Sequence, residues 1–227
     1  EMSRGLGDVY KRQVSKTDVF DTYMEKLPAT IKLSFASILV SILLSVPLGI
    51  YSATRQGTVQ DNISMIVAMI GLSMPNFWLG LLLIIVFSLN LGWFPSGGDQ
   101  TLSSIVLPAI TIGTGLMATL TRTTRSSMLD VLKQEYLRTA RAKGIPEKIV
   151  ITSHALRNAL IPIITIIGTQ LAGVLGGSVL TETVFAWPGV GRLIVDSLNM
   201  RDTPLVTGSI ITVSYTHLRA HETSQDL

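Results

Sequence analysis

The sequence predicts an all-α fold, a polytopic α-helical membrane protein with about four complete spans and the start of another. Three observations carry this. Charged residues make up 15% of the 227-residue chain against 47% hydrophobic ones, where a soluble domain carries about 25% charge. Charge-free runs of 22, 37, 22 and 24 residues separate Lys32 from Arg55, Asp61 from Asp99, Asp99 from Arg122 and Arg157 from Glu182, and about 20 apolar residues suffice to cross the hydrocarbon core. A soluble all-helical core would show charged and polar faces at helical period, and these runs carry no charge at all. The chain has no cysteine, which excludes a disulfide framework and a Cys-based metal site.

Residues 2–13 (MSRGLGDVYKRQ) and 214–227 (SYTHLRAHETSQDL) share neither composition nor periodicity with the rest. Both resemble translated sequencing-adapter read-through almost word for word, so 1–13 and 214–227 are read as artefactual tails. That sets aside His217 and His221, whose i, i+4 spacing could suit a metal ion on a helix. The remaining 14–213 carries 14 basic and 11 acidic residues, a net charge of +3.

Residues 14–28 are polar and close on Leu27–Pro28. A first span is expected over about 29–53, where Pro47 and Gly49 suit a kink that neighbouring helices can satisfy. The short loop Thr54–Asp61 follows. Asn62–Asn90 is 29 residues, roughly 43 Å at 1.5 Å per residue, against about 30 Å of hydrocarbon. Cutting it at Ser73–Asn76 leaves halves too short to cross, so one tilted or Pro75-broken helix is predicted. Trp93 and Phe94 then fall where an interfacial aromatic belt is expected, and Gly92–Gly98 is a turn-rich loop. The third span is placed at about 102–121, with Pro108 early.

The fourth span, about 159–181, carries Gly168, Gly173, Gly176 and Gly177. Gly173 and Gly177 form a small-xxx-small pair that lets helices approach closely. Helix packing and the lining of a translocation path are both compatible with these glycines and with Pro75. Beyond it, 182–204 mixes charges with aromatic and aliphatic residues. A Trp187-Pro188-Gly189 turn precedes an amphipathic helix over about 190–199, which reads as a partly embedded outer hairpin. Residues 205–213 begin another apolar run.

Eight of the 14 basic residues lie in 122–157, and the loop Gly92–Thr101 has none. The positive-inside bias puts 122–157 in the cytoplasm. Alternating spans then place 54–61 inside, and 91–101 and 182–204 outside. Within the island, Ser127 with Asp130 resembles a capping box and starts a helix expected over about 128–143. Leu129, Leu132, Tyr136 and Ala140 recur at spacings of 3, 4 and 4 as one apolar stripe, with Lys133, Arg138 and Arg141 elsewhere around the helix. Gly144 is expected to end it as a left-handed cap. Pro146 is expected at the first position of a second helix, which carries His154 and Arg157 into the fourth span. Such a helix–Gly–helix unit fits a groove on another protein, and a surface helix on anionic lipid is the alternative.

The segment EYLRTARAKGIPEKIVITSHALRNALIP resembles the signature cytoplasmic loop of binding-protein-dependent ABC importer permeases, in the dipeptide/oligopeptide/nickel branch. The resemblance extends through PATIKLSFASI, SMPNFWLGLLL, LPAI…RTTRSSMLDVL and LTETVFAWPGVGRLIVDSL, nearly all of 14–213. It implies a type I ABC importer transmembrane fold. Against the broader importer pattern, E-A-A-x-x-x-G followed by nine residues and I-x-L-P, Arg138 stands for the Glu and Thr139 for the first Ala. His154 and Arg157 stand for the later Ile and Pro, departures usual in the peptide branch.

The resemblance implies an ATPase-coupling loop made by Leu132, Glu135, Tyr136, Arg138, Thr139, Ala140, Arg141, Ala142, Lys143, Gly144, His154 and Arg157, with no catalytic residue and no metal ligand. It further implies ABC ATPase subunits that hold ATP and Mg, a second permease subunit and an extracytoplasmic solute-binding protein. The setting is the lipid bilayer of a bacterial or archaeal plasma (inner) membrane, with no nucleic acid involved. The phosphate loop G-x-x-x-x-G-K-[ST] does not occur in the sequence, so this chain is expected neither to bind a cofactor nor to hydrolyse ATP. A di- or oligopeptide is the expected cargo, with nickel or another metal chelate and glutathione as alternatives within the branch. An ion-coupled secondary transporter is the competing class. It would place ionisable residues at mid-membrane, and the predicted spans have none in their central stretches. A full-length version is expected to add one span and an external domain before residue 14 and to complete the last span after 213.

Overall fold

The computed structural model describes residues 19–176 and 178–211. Both tails assigned above lie outside the described residues. The helices, in chain order, are α1 (Val19–Thr54), α2 (Val59–Ser73), α3 (Asn76–Leu83), α4 (Val106–Leu132), α5 (Glu135–Ala142), α6 (Glu147–Ile149), α7 (Leu156–Leu175), α8 (Val179–Val184) and α9 (Val190–Asn199), followed by α10 over 203–211. π-helical segments Ile84–Asn90 and Val150–Ala155 continue α3 and α6, and a 3₁₀ turn, Leu102–Ile105, leads into α4.

Three continuous helical runs are long and apolar enough to cross a membrane, Val19–Thr54, Leu102–Leu132 and Glu147–Leu175. Val59–Ser73 with Asn76–Asn90 makes a fourth if the pair is one span. The predicted break at Pro75 is present: Met74 and Pro75 are both extended (ψ 128° and 132°), and Pro75 caps α3. Helix limits differ from hydrophobic limits. α1 begins at Val19 rather than near 29, and α4 runs on to Leu132 rather than stopping near 121. TRTTRSSMLD is rich in weak helix formers, but Thr121, Thr124, Ser127 and Met128 are buried at helical spacing, so packing of that face carries the helix past the apolar run. α9 occupies the predicted 190–199.

Small and hydroxyl residues point inward while large apolar ones point outward. On α1, Thr30, Ser34, Ser37, Ser41, Ser45 and Ser52 are buried at steps of three, four or seven, whereas Phe35, Leu39, Leu43 and Leu44 are exposed. On α2, Asp61, Ser64, Ala68 and Gly71 are buried, and Ile63, Ile66, Val67 and Ile70 are exposed. This is the pattern of helices in lipid, where close backbone approach, rather than burial of apolar surface, holds helices together.

Two compact units can be described separately. The first comprises residues up to Ser37, Pro75–Ile112 and those from Leu171 onward; the second comprises Ile38–Met74 and Gly113–Gln170. In the first, Val19, Leu193 and Leu205 form one buried cluster, and Phe185 is buried with its carbonyl accepting from Gly98 N at 2.9 Å. In the second, α1, α2 and α4 meet through their small residues. A Cβ added at Gly49 would stand 2.6 Å from Thr124 Cβ, and one at Gly71 only 2.5 Å from the Thr114 carbonyl oxygen. The apolar core there gathers Ala53, Leu120, Met128, Leu137, Ala140, Val150, Ala155, Ala159 and Ile163.

Candidate functional site

α4 ends at Leu132, and extended Gln134 (ψ 141°) starts α5. The expected single helix over about 128–143 is therefore corrected, because the helix is broken at Lys133–Gln134. Ser127 starts nothing and sits inside α4. The break also shifts the phase of the apolar stripe. Leu137 and Ala140 are the buried residues of α5, and Leu129 and Leu132 pack half-buried against the same core. Tyr136, placed in the stripe from spacing, is 41% exposed. Its hydroxyl instead accepts from Asn158 Nδ2 at 2.5 Å and donates to the His154 carbonyl at 3.4 Å, which ties α5 to the start of α7.

Gly144 ends α5 in the left-handed region (φ 74°). Gly144 N donates to the Arg141 carbonyl at 2.9 Å and Ile145 N to that of Ala140 at 3.3 Å, a C-terminal cap as predicted. An added Cβ at Gly144 meets nothing within 4 Å, so backbone conformation alone favours glycine there. Pro146 is the N-cap of α6, one residue before its expected position. Across the turn Arg141 grips Glu147 with two bonds, Nε to Oε2 and Nη2 to Oε1, each 3.0 Å. The result is a knuckle with its angle set by a glycine turn, a proline and a forked ion pair.

The opposite face of α5 is open. Glu135, Arg138, Thr139 and Ala142 are all exposed at i, i+3, i+4 and i+7, one side of a helix. Arg138 Nη1 meets Glu135 Oε1 at 3.1 Å with both side chains largely solvated. Lys143 and Arg157 are exposed as well, while His154 lies half-buried in the π-helical segment. Leu132, Lys133, Arg141 and Glu147 share a cleft of about 240 Å³ with Thr54 and Gln56 of the α1 end. The structure thus gathers Leu132 through Gly144, with His154, on one knuckle. Arg157 stands on the α7 turn that follows.

Of the residues assigned to packing or a path, Pro75 caps α3 as described. Among the described residues, Gly168 and Gly173 have no atom within 4 Å of an added Cβ, so they face open space there. Gly177 lies outside the described residues.

Two polar knots escaped the sequence reading. In the second unit, the Asp61 carboxylate is 3% exposed and accepts four bonds. Oδ1 takes Arg125 Nε at 2.8 Å and the Ser52 hydroxyl, and Oδ2 takes Arg125 Nη2 at 2.7 Å and Gly57 N at 3.0 Å. Thr58 caps α2 alongside, accepting from Asp61 N. The signal was present: Asp61 borders the longest charge-free run, where an uncompensated charge is costly.

In the first unit, Glu182 is fully buried. Its Oε1 accepts from Thr30 Oγ1 and its Oε2 from Arg192 N, both at 3.1 Å, while Val190 N donates to Thr30 Oγ1 at 2.8 Å. Trp187 Nε1 donates to the Ala29 carbonyl at 2.9 Å. A Cβ on Gly189 or Gly191 would fall 2.4 or 2.9 Å from Glu182 Oε2. The ET…WPGVGR spacing therefore folds a carboxyl onto the first turn of α9, against Ala29 and Thr30 of α1. Burial pushes the Glu182 carboxyl above the ordinary glutamate value, opposed by the bonds from Arg192 N, Thr30 and Gly191 N.

Comparison with known proteins places this architecture. Residues 45–218 match the family described as binding-protein-dependent transport system inner membrane component. The oligopeptide transport system permease protein AppB of Bacillus subtilis (strain 168) is 47% identical over 200 residues, covering 84% of this chain and 63% of that protein. The glutathione transport system permease protein GsiC of Escherichia coli (strain K12) is 42% identical over 208 residues, covering 92% and 68%. The chain spans about two-thirds of the length of these relatives. Among solved structures, a chain of the MetNI methionine ABC transporter in an inward-facing conformation superposes with a TM-score of 0.68 over 91% of this chain and 96% of that one. At 18% identity that likeness concerns the fold alone. With a family match over most of its length and relatives at 42–47% identity, this chain belongs to the inner-membrane components of binding-protein-dependent transport systems.

Proposed function

We propose that this chain is the membrane-spanning permease subunit of an ATP-driven importer of short peptides, working with separate ATPase subunits, a second permease and an extracytoplasmic solute-binding protein. The observation that carries the reading is the knuckle at Glu135–Gly144. It is anchored from behind by Leu137 and Ala140, braced by Arg141–Glu147, and presents Glu135, Arg138, Thr139 and Ala142 outward. A helix held this rigidly yet left bare on one face is suited to seat in a cleft of an ATPase and to move as a unit when that ATPase closes. The basic residues of 122–157 put it in the cytoplasm. The π-helical segment and α7 continue it, giving the motion a route into a membrane-length helix. The open faces at Gly168 and Gly173 fit the approach of a second permease.

Peptide cargo is supported by the relatives, named for oligopeptide and glutathione transport. The test is uptake into proteoliposomes holding the full-length permease, its partner permease, ATPases and binding protein. Labelled di- and oligopeptides should accumulate only with ATP inside the ATPase-facing compartment. Accumulation by the permease pair driven by an ion gradient without ATP would favour a secondary carrier and overturn the proposal. A nickel chelate taken up in preference to any peptide would overturn the cargo alone.

A further inference from the structure

We infer that Asp61 and Arg125 are positioning residues of the transport cycle, a polar joint carrying displacement of the knuckle into α2; this rests on the importer reading above. Arg125 and Met128 stand three apart on α4, on one face of the helix. Met128 is fully buried in the core that receives Leu137 and Ala140 of α5. Ala53, in that core, is next to Ser52, which donates to Asp61. The same turns of α1 and α4 thus hold the knuckle on one side and Asp61 on the other.

The joint is built for rigidity. Both oxygens of Asp61 are engaged twice, the guanidinium meets them as a parallel fork, and Gly57 N closes the loop from α1 to α2. Bidentate pairs of this kind fix direction as well as distance. Gly57 is left-handed (φ 76°) with open space around an added Cβ, so it serves the turn that aims its N–H at the carboxylate. Through these bonds a shift of the lower part of α4 must carry the first turn of α2 with it. Beside these bonds, Gly71 packs on Thr114, a small-residue contact that also joins α2 to α4 in this unit.

The decisive readout is solute imported per ATP hydrolysed in the reconstituted full complex, which depends on coupling and not on how many complexes assemble. Arg125→Lys keeps the charge but loses the fork, and is expected to lower that ratio severalfold. Asp61→Asn with Arg125→Gln removes both charges together, so assembly is spared the penalty of a lone ionised Asp61, the buried partner of the pair. It should assemble better than Arg125→Gln alone and still lose about tenfold in the ratio, within the usual range of coupling between sites. A wild-type ratio in either Arg125→Lys or the double variant would overturn the inference. The wild-type complex run beside them separates the two claims, since absence of ATP-driven uptake there defeats the importer reading itself.

Discussion

Replacing Glu182 tests the knot that organises the α8–α9 hairpin. Glu182→Ala removes the acceptor of the Arg192 amide and of the Thr30 hydroxyl, each 3.1 Å away. A buried donor left unmatched costs about 1–3 kcal/mol, and Thr30 can turn its hydroxyl, so one such penalty counts in full. The emptied side-chain volume adds about 1–2 kcal/mol. The expected loss is about 2–5 kcal/mol, or a melting temperature lower by about 4–20 °C for a chain of this size.

Glu182→Gln keeps the shape and one acceptor. As a neutral group it escapes the burial that pushes the carboxyl upward, so it should stay within about 1 kcal/mol of wild type. Its distinguishing mark is pH dependence. Because the folded value lies above the unfolded one, the folded hairpin keeps a proton that the unfolded chain has released. Stability therefore falls as pH rises from the ordinary glutamate value through the raised folded value, and is flat above it. Glu182→Gln should erase that slope. Trp187, 4% exposed and bonded to Ala29, reports the hairpin by fluorescence once Trp78 and Trp93 are changed to Phe. The reasoning is refuted if Glu182→Ala melts with the wild-type protein and leaves Trp187 emission unchanged, or if Gln is as damaging as Ala.

Other substitutions probe the second unit and the knuckle. Gly71→Ala drives a Cβ to 2.5 Å from the Thr114 carbonyl oxygen, and the forced separation should cost about 1–3 kcal/mol, read as lower thermal stability in detergent. At Gly144 only the positive φ matters, so Gly144→Asn should be mild and Gly144→Val should cost about 1–2 kcal/mol with a matching loss of uptake. Arg138→Glu breaks a solvated pair and should change stability by no more than about 1 kcal/mol, yet it should weaken retention of the ATPase on the purified permease.

Legibility in the sequence followed the kind of physics involved. The membrane-length apolar helices, the Pro75 break, the Gly144 cap and the 190–199 helix were readable because each is set by local chemistry: apolar length, proline, a left-handed turn, amphipathic spacing. The knuckle was located but its phase was not, since nothing in LKQEY announces the break at Gln134 that exchanges Tyr136 for Leu137. Long-range pairing was invisible. Asp61 and Arg125 stand 64 positions apart and Thr30 and Glu182 stand 152 apart, and both pairs are bridged only in the fold. Gly168 and Gly173 drew attention by spacing, whereas the close approaches of Gly49 to Thr124 and of Gly71 to Thr114 emerge only in the fold.

The most direct test of the whole account is cross-linking from the bare face of α5. Residues 1–227 hold no cysteine, so Ala142→Cys, in a full-length permease with any further cysteine replaced by serine, offers a single thiol on this subunit. In inside-out vesicles holding the assembled complex, a short cross-linker at that thiol should capture an ATPase subunit, with a yield that changes when ATP closes the ATPase dimer. Labelling from the outer side of intact cells, or capture of lipid with no ATPase product, would contradict the claim that the knuckle is where the motor engages the membrane helices.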